Sequence, residues 1–303
     1  MRSFSHRTFV PLLSVLLILG AGLLSCSVGR RTASSPAIKP IPRWMELPVI
    51  PKEKRGQFYT RDTEIDSVRI RSWSNLYDTT SRLSSWVAYP LNKALMGGNI
   101  RRSNTWGLDP QVSATGQQSL FRGYSDGNNG RYSRGHQIAS ADRLYSLESN
   151  STTFYFTNMT PQRGDFNGGI WNNLEIQVRD WARRCDTLYV VTGCLYGDSD
   201  AYALDNEGRK VPSPTAYYKA LLAYKADGSI GVHGYTGLGV ILDHYAQYDG
   251  GKLEDWMFIS LDELQGKTGE KFFPLLSKVL GKKDAGKVFS ASPLEERFWK
   301  RSK

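Results

Sequence analysis

The sequence has 303 residues, of which 40% are hydrophobic and 22% are charged, and its formal net charge is +10. This composition is ordinary for a folded protein and excludes collagen-like, coiled-coil and wholly disordered chains. The positive charge lies at the two ends, because residues 1–60 carry +7, residues 267–303 carry +6 and residues 61–266 carry −3. Overall basicity alone therefore does not identify a nucleic-acid-binding protein.

The N-terminal segment predicts export. Arg2 and Arg7 precede a mostly apolar run from Phe9 to Leu24, which is shorter than the roughly 20 residues of a membrane-spanning helix and typical of a secretory signal. The run ends in Leu-Leu-Ser-Cys26 and resembles the lipobox of bacterial lipoproteins, in which the cysteine is lipidated. The alternative is a plain signal peptide with an incidental cysteine. We expect an exported protein that Cys26 anchors through lipid to a bacterial cell envelope, at the outer membrane or the cell surface.

Three segments follow from composition. Residues 1–25 are predicted to be the lipoprotein signal peptide. Residues 26–60 contain several prolines among scattered basic residues and are predicted to be a flexible tether. Residues 61–303 are predicted to form one domain, because the sequence contains no second linker and no internal repeat.

Within that domain, alternating or β-branched runs predict five strands, at Ser84–Pro90, Thr152–Thr157, Thr187–Thr192, Ala216–Tyr224 and Thr236–Leu242. Helical patterns cover Asn167–Arg184, Leu261–Leu264 and Lys271–Leu280. Residues 97–130 are rich in Gly, Asn, Ser and Arg and predict long loops. Strands and helices do not alternate regularly, so the predicted class is α+β with a mixed sheet.

Cys185 and Cys194 are the two cysteines beyond Cys26. The predicted strand between them would hold their Cα atoms more than roughly 20 Å apart at about 3.3 Å per residue, whereas a disulfide needs about 7 Å or less. We therefore predict two free, buried thiols. No Cys-x-x-Cys pair and no Cys/His zinc spacing is present in the sequence.

His136 is the histidine with catalytic surroundings. It follows a glycine-rich loop in the run Ser-Arg134-Gly-His136, and histidine accepts a proton from water near neutral pH. An arginine two residues away can hold phosphate oxygens in a bidentate manner. His233 and His244 have no partner at metal-ligand spacing and are expected to be structural.

The predicted helix after residue 166 carries polar residues next to its apolar stripe. The polar row consists of Asn167, Glu175 and Arg179, with Trp171 at the same spacing. The apolar stripe beside it consists of Ile170, Leu174, Val178 and Trp181. Glu175 and Arg179 taken alone also allow a simple ion pair one turn apart, worth a few tenths of a kcal/mol.

These pieces together resemble the DNA/RNA non-specific endonuclease family, the ββα-metal or His-Me finger nucleases. The matching run is Ser133-Arg134-Gly135-His136, Thr157-Asn158 at a predicted strand end, Pro161-Gln162, then Asn167, Trp171, Glu175 and Arg179. The resemblance implies an α+β fold with a ββα-metal motif at the active site. It also implies a Mg²⁺-dependent endonuclease that hydrolyses DNA and RNA to 5′-phosphorylated products without regard to base or sugar.

The resemblance also implies roles by position. His136 would be the general base. Asn167 would be the direct ligand of Mg²⁺, with Mn²⁺ or Ca²⁺ as alternative ions, and Glu175 would hold the metal through water. Arg134 and Arg179 would neutralise the phosphate.

Asn158 and Gln162 are implied to shape the site, Asn158 as a catalytic residue and Gln162 as a substrate contact. Arg131, from the arginine-rich loop, is also predicted to bind the substrate. The further arginines at 101, 102 and 122 either line a phosphate-binding groove together with Arg131 or are simply solvated. One departure stands out, because the family's first acidic residue is Ser133 here. Its loss leaves a rival hypothesis, a surface lipoprotein that binds nucleic acid without cutting it, and a third, a structural envelope lipoprotein.

Overall fold

An antiparallel sheet forms the centre of the computed structural model, which describes residues 44–98, 100–125, 127–128 and 130–301. The described residues belong to one unit. Its strands are β1 (Phe58–Ile65), β2 (Val68–Asp78), β3 (Leu83–Leu91), β4 (Tyr132–His136), β5 (Met159–Arg163), β6 (Thr187–Leu195), β7 (Tyr202–Leu204), β8 (Lys210–Pro212), β9 (Ala216–Tyr224), β10 (Tyr235–Asp243) and β11 (Phe258–Ile259). Its α-helices are α1 (Lys93–Met96), α2 (Leu147–Thr152), α3 (Gly164–Phe166), α4 (Asn172–Ala182), α5 (Leu261–Thr268), α6 (Leu276–Leu280) and α7 (Lys282–Ser290).

Seven strands form the large sheet in the order β1-β2-β3-β6-β9-β10-β11. Every pairing in it is antiparallel. The predicted α+β class is therefore confirmed, although the large sheet is antiparallel throughout where the sequence predicted a mixed one. Two small hairpins, β4-β5 and β7-β8, lie outside it.

Each face of the sheet carries its own core. Side chains alternate along a strand, so in β9 Tyr217 and Leu221 join the cluster that packs under α4, whereas Tyr218 and Leu222 join the cluster under α5, α6 and α7. We call these the α4 face and the C-terminal face. The chain just after β4 contributes Ile138 to the α4-face core.

Glycines in β10 bring the C-terminal helices close to the sheet. A Cβ atom on Gly237 would lie 2.5 Å from Leu261 Cδ1, and one on Gly239 would lie 2.9 Å from Leu264 Cβ. These distances are too short for a side chain, so α5 packs against bare backbone there.

Most predicted elements are confirmed, and one strand is wrong. Strands β3, β6, β9 and β10 match the predicted runs within three residues at each end, and the long helical segment runs from α3 through α4. The predicted strand Thr152–Thr157 is instead the end of α2 followed by a 3-10 turn at Phe156–Asn158. The apolar residues of this segment are buried because they fill the core under the hairpin. This burial accounts for the strand-like alternation in the sequence.

Residues 44–60 belong to the folded unit, although their composition predicted a tether. Met45 is fully buried in the C-terminal-face core. Glu46 forms an ion pair with Arg71 (2.5 Å), whose guanidinium lies over the Trp44 ring. The composition of the segment does not predict this docking, because a few apolar residues are enough to hold a proline-rich segment against the fold. The predicted signal peptide, Cys26 and the rest of the tether lie outside the described residues.

Cys185 and Cys194 are both free and buried, as the strand between them predicted. Burial raises the pKa of each thiol to about 12. None of the helices in the described part of the chain has both the length and the apolar character needed to cross a membrane.

Candidate active site

The β4-β5 hairpin positions the residues of the Arg-Gly-His run. Its register pairs Arg134 with Pro161, Gly135 with Thr160 and His136 with Met159. Gly135 is required sterically, since a Cβ atom there would lie 2.4 Å from the side chain of Gln162. The absence of a side chain at Gly135 therefore leaves room for the Gln162 side chain in the hairpin. The flanking Arg134 and His136 side chains project from the hairpin.

His136 ends β4 inside an aromatic box. Its ring centroid lies 5.4 Å from that of Trp106 and 5.2 Å from that of Phe154. Its Nε2 atom has no hydrogen-bond partner among the described residues. Burial, and then the charge of Arg102, lower the pKa of His136 to about 3, while a hydrogen bond with the Arg134 backbone acts the other way. His136 is therefore neutral near pH 7, and Nε2 is free to accept a proton.

The opposite wall of the pocket begins where the chain enters α4. Asn167 starts a π-helical turn that ends at Trp171, between α3 and α4. Gly169 leaves helical geometry within it (φ −99°, ψ −109°), and single π-turns of this kind often mark functional sites. The two glycines after Asn167 permit this distortion. The turn then leads into α4 with Asn167 and Glu175 both lining the pocket.

Glu175 lies among buried charges on the inner side of α4. Burial raises the pKa of its carboxyl to about 7, with Lys219 opposing the shift most strongly among its neighbours. Lys219 comes from β9, is 1% exposed and donates from Nζ to Thr192 Oγ1 (2.7 Å). Burial lowers the pKa of Lys219 to about 8, while the negative charges of Glu175 and Asp142 raise it.

Arg179 is held by an acid on the other side of the pocket. Its Nη1 lies 3.2 Å from Asp142 Oδ1, and Asp142 Oδ2 accepts from the Tyr89 hydroxyl (2.9 Å). The simple ion pair with Glu175 one turn earlier is not formed, since Asp142 takes its place as the partner. Asp142 is 2% exposed, so Arg179 has a fixed counter-charge and a fixed direction.

Arg134 and Arg102 lie together over the aromatic box. The Arg134 guanidinium sits 3.7 Å above the Trp106 ring and donates from Nη1 to the Leu120 carbonyl (2.8 Å). The Arg102 guanidinium lies 4.8 Å from the Phe154 ring centroid. Both arginines line the His136 pocket and an adjoining cavity that also includes Arg122 and Ser133.

The pocket therefore gathers most of the predicted site residues. It has a volume of about 350 Å³, and its lining includes Arg102, Arg134, His136, Asn167, Glu175 and Arg179. Three positive side chains, one carboxyl and one histidine face a common space. Such a set can bind a phosphate group and accept a proton beside it.

Three predicted residues lie elsewhere. Asn158 is fully buried, and its amide bonds the backbone of Ile138 in both directions, so it clamps the end of β4 to the turn before β5. Gln162 is also fully buried, packed against Gly135. Arg131 is exposed on the loop before β4 and does not line the pocket. None of the three is among the residues that line the pocket.

Asp142, Lys219 and Trp106 reach the site without having been predicted there. The only sequence indication for Asp142 is that it lies close to His136 along the chain. The sequence gives no indication that Lys219 belongs to the site, because a single lysine in an apolar strand is expected at the surface until the helix that packs on it is known. Asp126, the other nearby acid, lies outside the described residues.

His244 is structural, as predicted. Its Nδ1 bonds the Pro214 carbonyl (2.7 Å) and its Nε2 accepts from the Arg163 amide (2.8 Å), which ties the end of β5 to the large sheet. His233 is exposed and lies 3.2 Å from Asp284 on the C-terminal face.

The donor set fits a hard divalent cation. Asn167 supplies an amide oxygen and Glu175 a carboxylate in the same pocket, and oxygen ligands are those that Mg²⁺ prefers. No group of three or more His, Cys, Asp and Glu side chains capable of caging a metal occurs within the described ranges. The arrangement thus suits an ion that keeps most of its water, because few protein ligands converge. A positive ion would also offset the burial cost of the Glu175 carboxylate.

Comparison with known proteins agrees with this geometry. The model of the family described as DNA/RNA non-specific endonuclease matches residues 57–278, a span that contains the whole pocket. A nuclease of Nostoc sp. is 28% identical over 266 residues, which cover 87% of this chain and 91% of the relative. The mitochondrial nuclease EXOG of Xenopus laevis is 25% identical over 304 residues, covering 93% of this chain and 78% of its own length.

A solved structure shares the fold. The crystal structure of the EndoG/EndoGI complex contains a chain that superposes with a TM-score of 0.55 at 22% identity, covering 72% of this chain and 88% of that one. At this identity, the likeness supports the arrangement of strands and helices.

Proposed function

Because this chain belongs to the DNA/RNA non-specific endonuclease family and is a nucleic-acid-hydrolysing enzyme, we propose that the His136 pocket is its phosphodiester-cleaving site. The proposed substrates are DNA and RNA, cut internally, with 5′-phosphorylated products. The observation that carries the proposal is the free Nε2 of His136, which shares one pocket with Asn167 and Glu175.

The hairpin β4-β5 and the helix α4 are proposed to form the ββα-metal motif. The hairpin carries His136 and the helical segment carries Asn167 and Glu175. Strands and helix thus supply opposite walls of the pocket. This arrangement explains why residues some 30 to 40 positions apart act on the same phosphate.

His136 is proposed to act as the general base. Its neutral ring accepts the proton of a water molecule at Nε2 as that water attacks phosphorus. In the absence of substrate, burial first, and then the positive charges of Arg102 and Arg134, lower the pKa of His136 to about 3. A bound phosphate supplies negative charge, which raises the basicity of the ring when the proton is transferred.

The cofactor is proposed to be Mg²⁺, or Mn²⁺ or Ca²⁺ in its place. Asn167 would hold the ion directly, and Glu175 would hold it through water. Such an ion, when bound, stabilises the charge that develops on the phosphate oxygens in the transition state. Asp142 and Lys219 keep Arg179 and Glu175 in place around it.

The arginines are proposed to bind the phosphate. Arg134 and Arg179 flank the pocket with Arg102, and guanidinium groups suit phosphate oxygens in pairs. All of these side chains address the backbone of the substrate. Base identity and the 2′-hydroxyl therefore need not be recognised, which is the physical basis for cutting both DNA and RNA.

The test is hydrolysis of supercoiled plasmid and of total RNA by wild-type protein and by His136→Ala, each with Mg²⁺ and with EDTA. We expect wild-type protein to degrade both substrates only with metal, and His136→Ala to lose about 10²–10⁴-fold in rate. His233→Ala is the matched control, because its histidine is exposed on the other face and should leave the rate unchanged.

Two results would overturn the proposal. Equal rates for His136→Ala and wild type would mean that the pocket is not the catalytic site. Binding of both nucleic acids without cleavage, at any pH and with any of the three ions, would instead favour the rival function of a non-cutting nucleic-acid-binding lipoprotein, with Ser133 marking the lost site.

We further propose that the protein is exported and lipid-anchored through Cys26 to the bacterial cell envelope, where it would meet extracellular nucleic acid. The support is the charged, apolar and cysteine-terminated order of residues 1–26. Labelling with a radioactive fatty acid should mark the wild-type chain but not Cys26→Ser. Equal labelling of the two would remove the proposed anchor.

A further inference from the structure

A basic surface occupies part of the C-terminal face, outside α5, on the opposite side of the sheet from the catalytic pocket. It consists of the exposed lysines and arginine of residues 52–55 and 271–290, eight in all, against the two acidic residues Glu53 and Asp284. Among the described residues only Lys287 of the eight forms an ion pair, with Asp284 at 2.7 Å. The remaining charges are therefore available to a partner.

The two segments form one surface. The Val49 amide, just before the first segment, donates to the Lys271 carbonyl (2.9 Å). Lys54 lies close enough to Glu270 to lower the pKa of that carboxyl, although burial raises it overall. In α7, Ala285 and Val288 are buried against the sheet, so Lys283 and Lys287 lie on the outer side of the helix.

We propose that this basic surface rests on an anionic phospholipid bilayer, with the catalytic pocket directed away from it. Lipid phosphates at a membrane attract clustered lysines through diffuse electrostatics, without a structured site for each phosphate. The inference concerns the surface alone and does not depend on lipidation of Cys26.

The choice of basic residue favours a membrane over nucleic acid. Seven of the eight residues of the basic surface are lysine, whereas the cations of the catalytic pocket are Arg102, Arg134 and Arg179. Arginine is preferred for bidentate phosphate recognition and lysine acts as a hydrated point charge. Val279 is 38% exposed beside Lys278 and adds an apolar contact for the interfacial region.

The first described residues lie on the side of the basic surface, because Met45 is buried in the core of the C-terminal face. A nucleic acid held on this surface would be separated from His136 by the sheet, so the surface would not deliver it to the pocket.

The test uses the full chain with Cys26→Ser in every arm, so that no lipid is attached. Cosedimentation is measured with vesicles of phosphatidylcholine alone and with vesicles that also contain phosphatidylglycerol. We expect stronger binding to the anionic vesicles, weakened by salt. The triple variant Lys278→Glu, Lys282→Glu, Lys283→Glu should lose that preference, on the order of 100-fold in partition coefficient.

The matched control is Lys93→Glu, Lys210→Glu, Lys252→Glu, which makes the same change in net charge at exposed lysines outside the basic surface. It should keep the preference for anionic vesicles within about threefold. Thermal melting and hydrolysis of a short oligonucleotide in solution check that both variants fold. The vesicle-bound wild-type protein should still cut the oligonucleotide, because its pocket faces solution.

Three outcomes would overturn the inference. The first is equal binding of the wild type to both kinds of vesicle, and the second is equal loss of binding in the two triple variants, which would reduce the effect to net charge. The third is a gel shift of DNA in EDTA that weakens by as much as vesicle binding in the first triple variant, which would assign the surface to nucleic acid. Failure of catalysis in all arms would test the proposed function, not this surface.

Discussion

Strand β9 runs through the middle of the sheet and places Lys219 on the α4 face and Leu222 on the C-terminal face, both buried. Around Lys219 lie Glu175, Asp142 and Arg179, four charged groups in one buried cluster. Leu222 packs in a cluster of aliphatic and aromatic side chains beneath α5 and α6. One strand therefore carries a polar interior on one side and an apolar interior on the other.

The difference separates stability from chemistry. Buried apolar side chains stabilise the fold through area removed from water. A buried ion cluster adds little stability by itself, because desolvation offsets much of the attraction. Because the cluster lies behind the proposed catalytic pocket, we expect it to orient Glu175 and Arg179. Substitutions on the two faces should therefore affect different measurements.

The largest effect is expected for Leu222→Ala on the C-terminal face. Its cavity should lower the free energy of unfolding by about 2–5 kcal/mol, measured by urea denaturation. The rate of nucleic-acid hydrolysis should remain that of the wild type at temperatures where the variant is folded. A loss of rate as large as that of a pocket variant would contradict the separation of the two faces.

The next effect is expected for Lys219→Met on the α4 face. Loss of its positive charge raises the pKa of Glu175 further, so that less of the carboxylate is ionised near pH 7. The hydrolysis rate should fall about 10–100-fold, and the loss should shrink as pH rises. Steady-state rates between pH 6 and 9 measure this. Leu221→Met, two residues on in β9 and on the same face, is the control and should keep the wild-type rate.

The smallest effect concerns His244, which fastens the hairpin to the sheet. Burial lowers its pKa to about 4, and protonation would displace the Arg163 amide from Nε2. The unfolded state binds the proton first, since an ordinary histidine titrates near 6.5. The contribution of His244 is therefore present above about pH 6.5 and is lost as pH falls to about 4.

His244→Gln should remove that pH dependence, because glutamine offers a donor and an acceptor but does not titrate. Thermal melting of both proteins across this window should show a Tm decrease in the wild type that is a few degrees larger than in the variant. Parallel curves would mean that another group controls acid stability. Melting at pH 7.5 provides the reference for the substitution itself.

Much of the site was accessible from sequence because its chemistry is local. Arg134 and His136 are two residues apart on one strand, and Asn167 and Glu175 lie along one helical segment, so short-range spacing revealed both walls. The predicted strands of the large sheet are also present, because β-branched runs pair with one another and become buried in the sheet. The separation of Cys185 from Cys194 followed from the length of a single strand.

The segments that were predicted wrongly depend on contacts distant in sequence. Residues 152–157 alternate like a strand but are buried as a helix end and turn, because the hairpin covers them. Residues 44–60 resemble a tether in composition, yet Met45 and Glu46 find partners on the sheet and at Arg71. In both cases the residues are buried by contacts with segments distant in sequence, which the local sequence pattern does not show.

The family, the run that contains His136 and the helix that carries Glu175 are recognisable from the sequence, because the residues that mark each of them are a few positions apart. The two strands of the hairpin were not among the predicted strands. Which charges face each other depends on packing between segments that are distant in sequence. Lys219 reaches Glu175 because β9 lies under α4, and Asp142 takes Arg179 because the chain after β4 turns back over the same helix. Electrostatic pairing depends on distance in space, and for these residues that distance is fixed by packing.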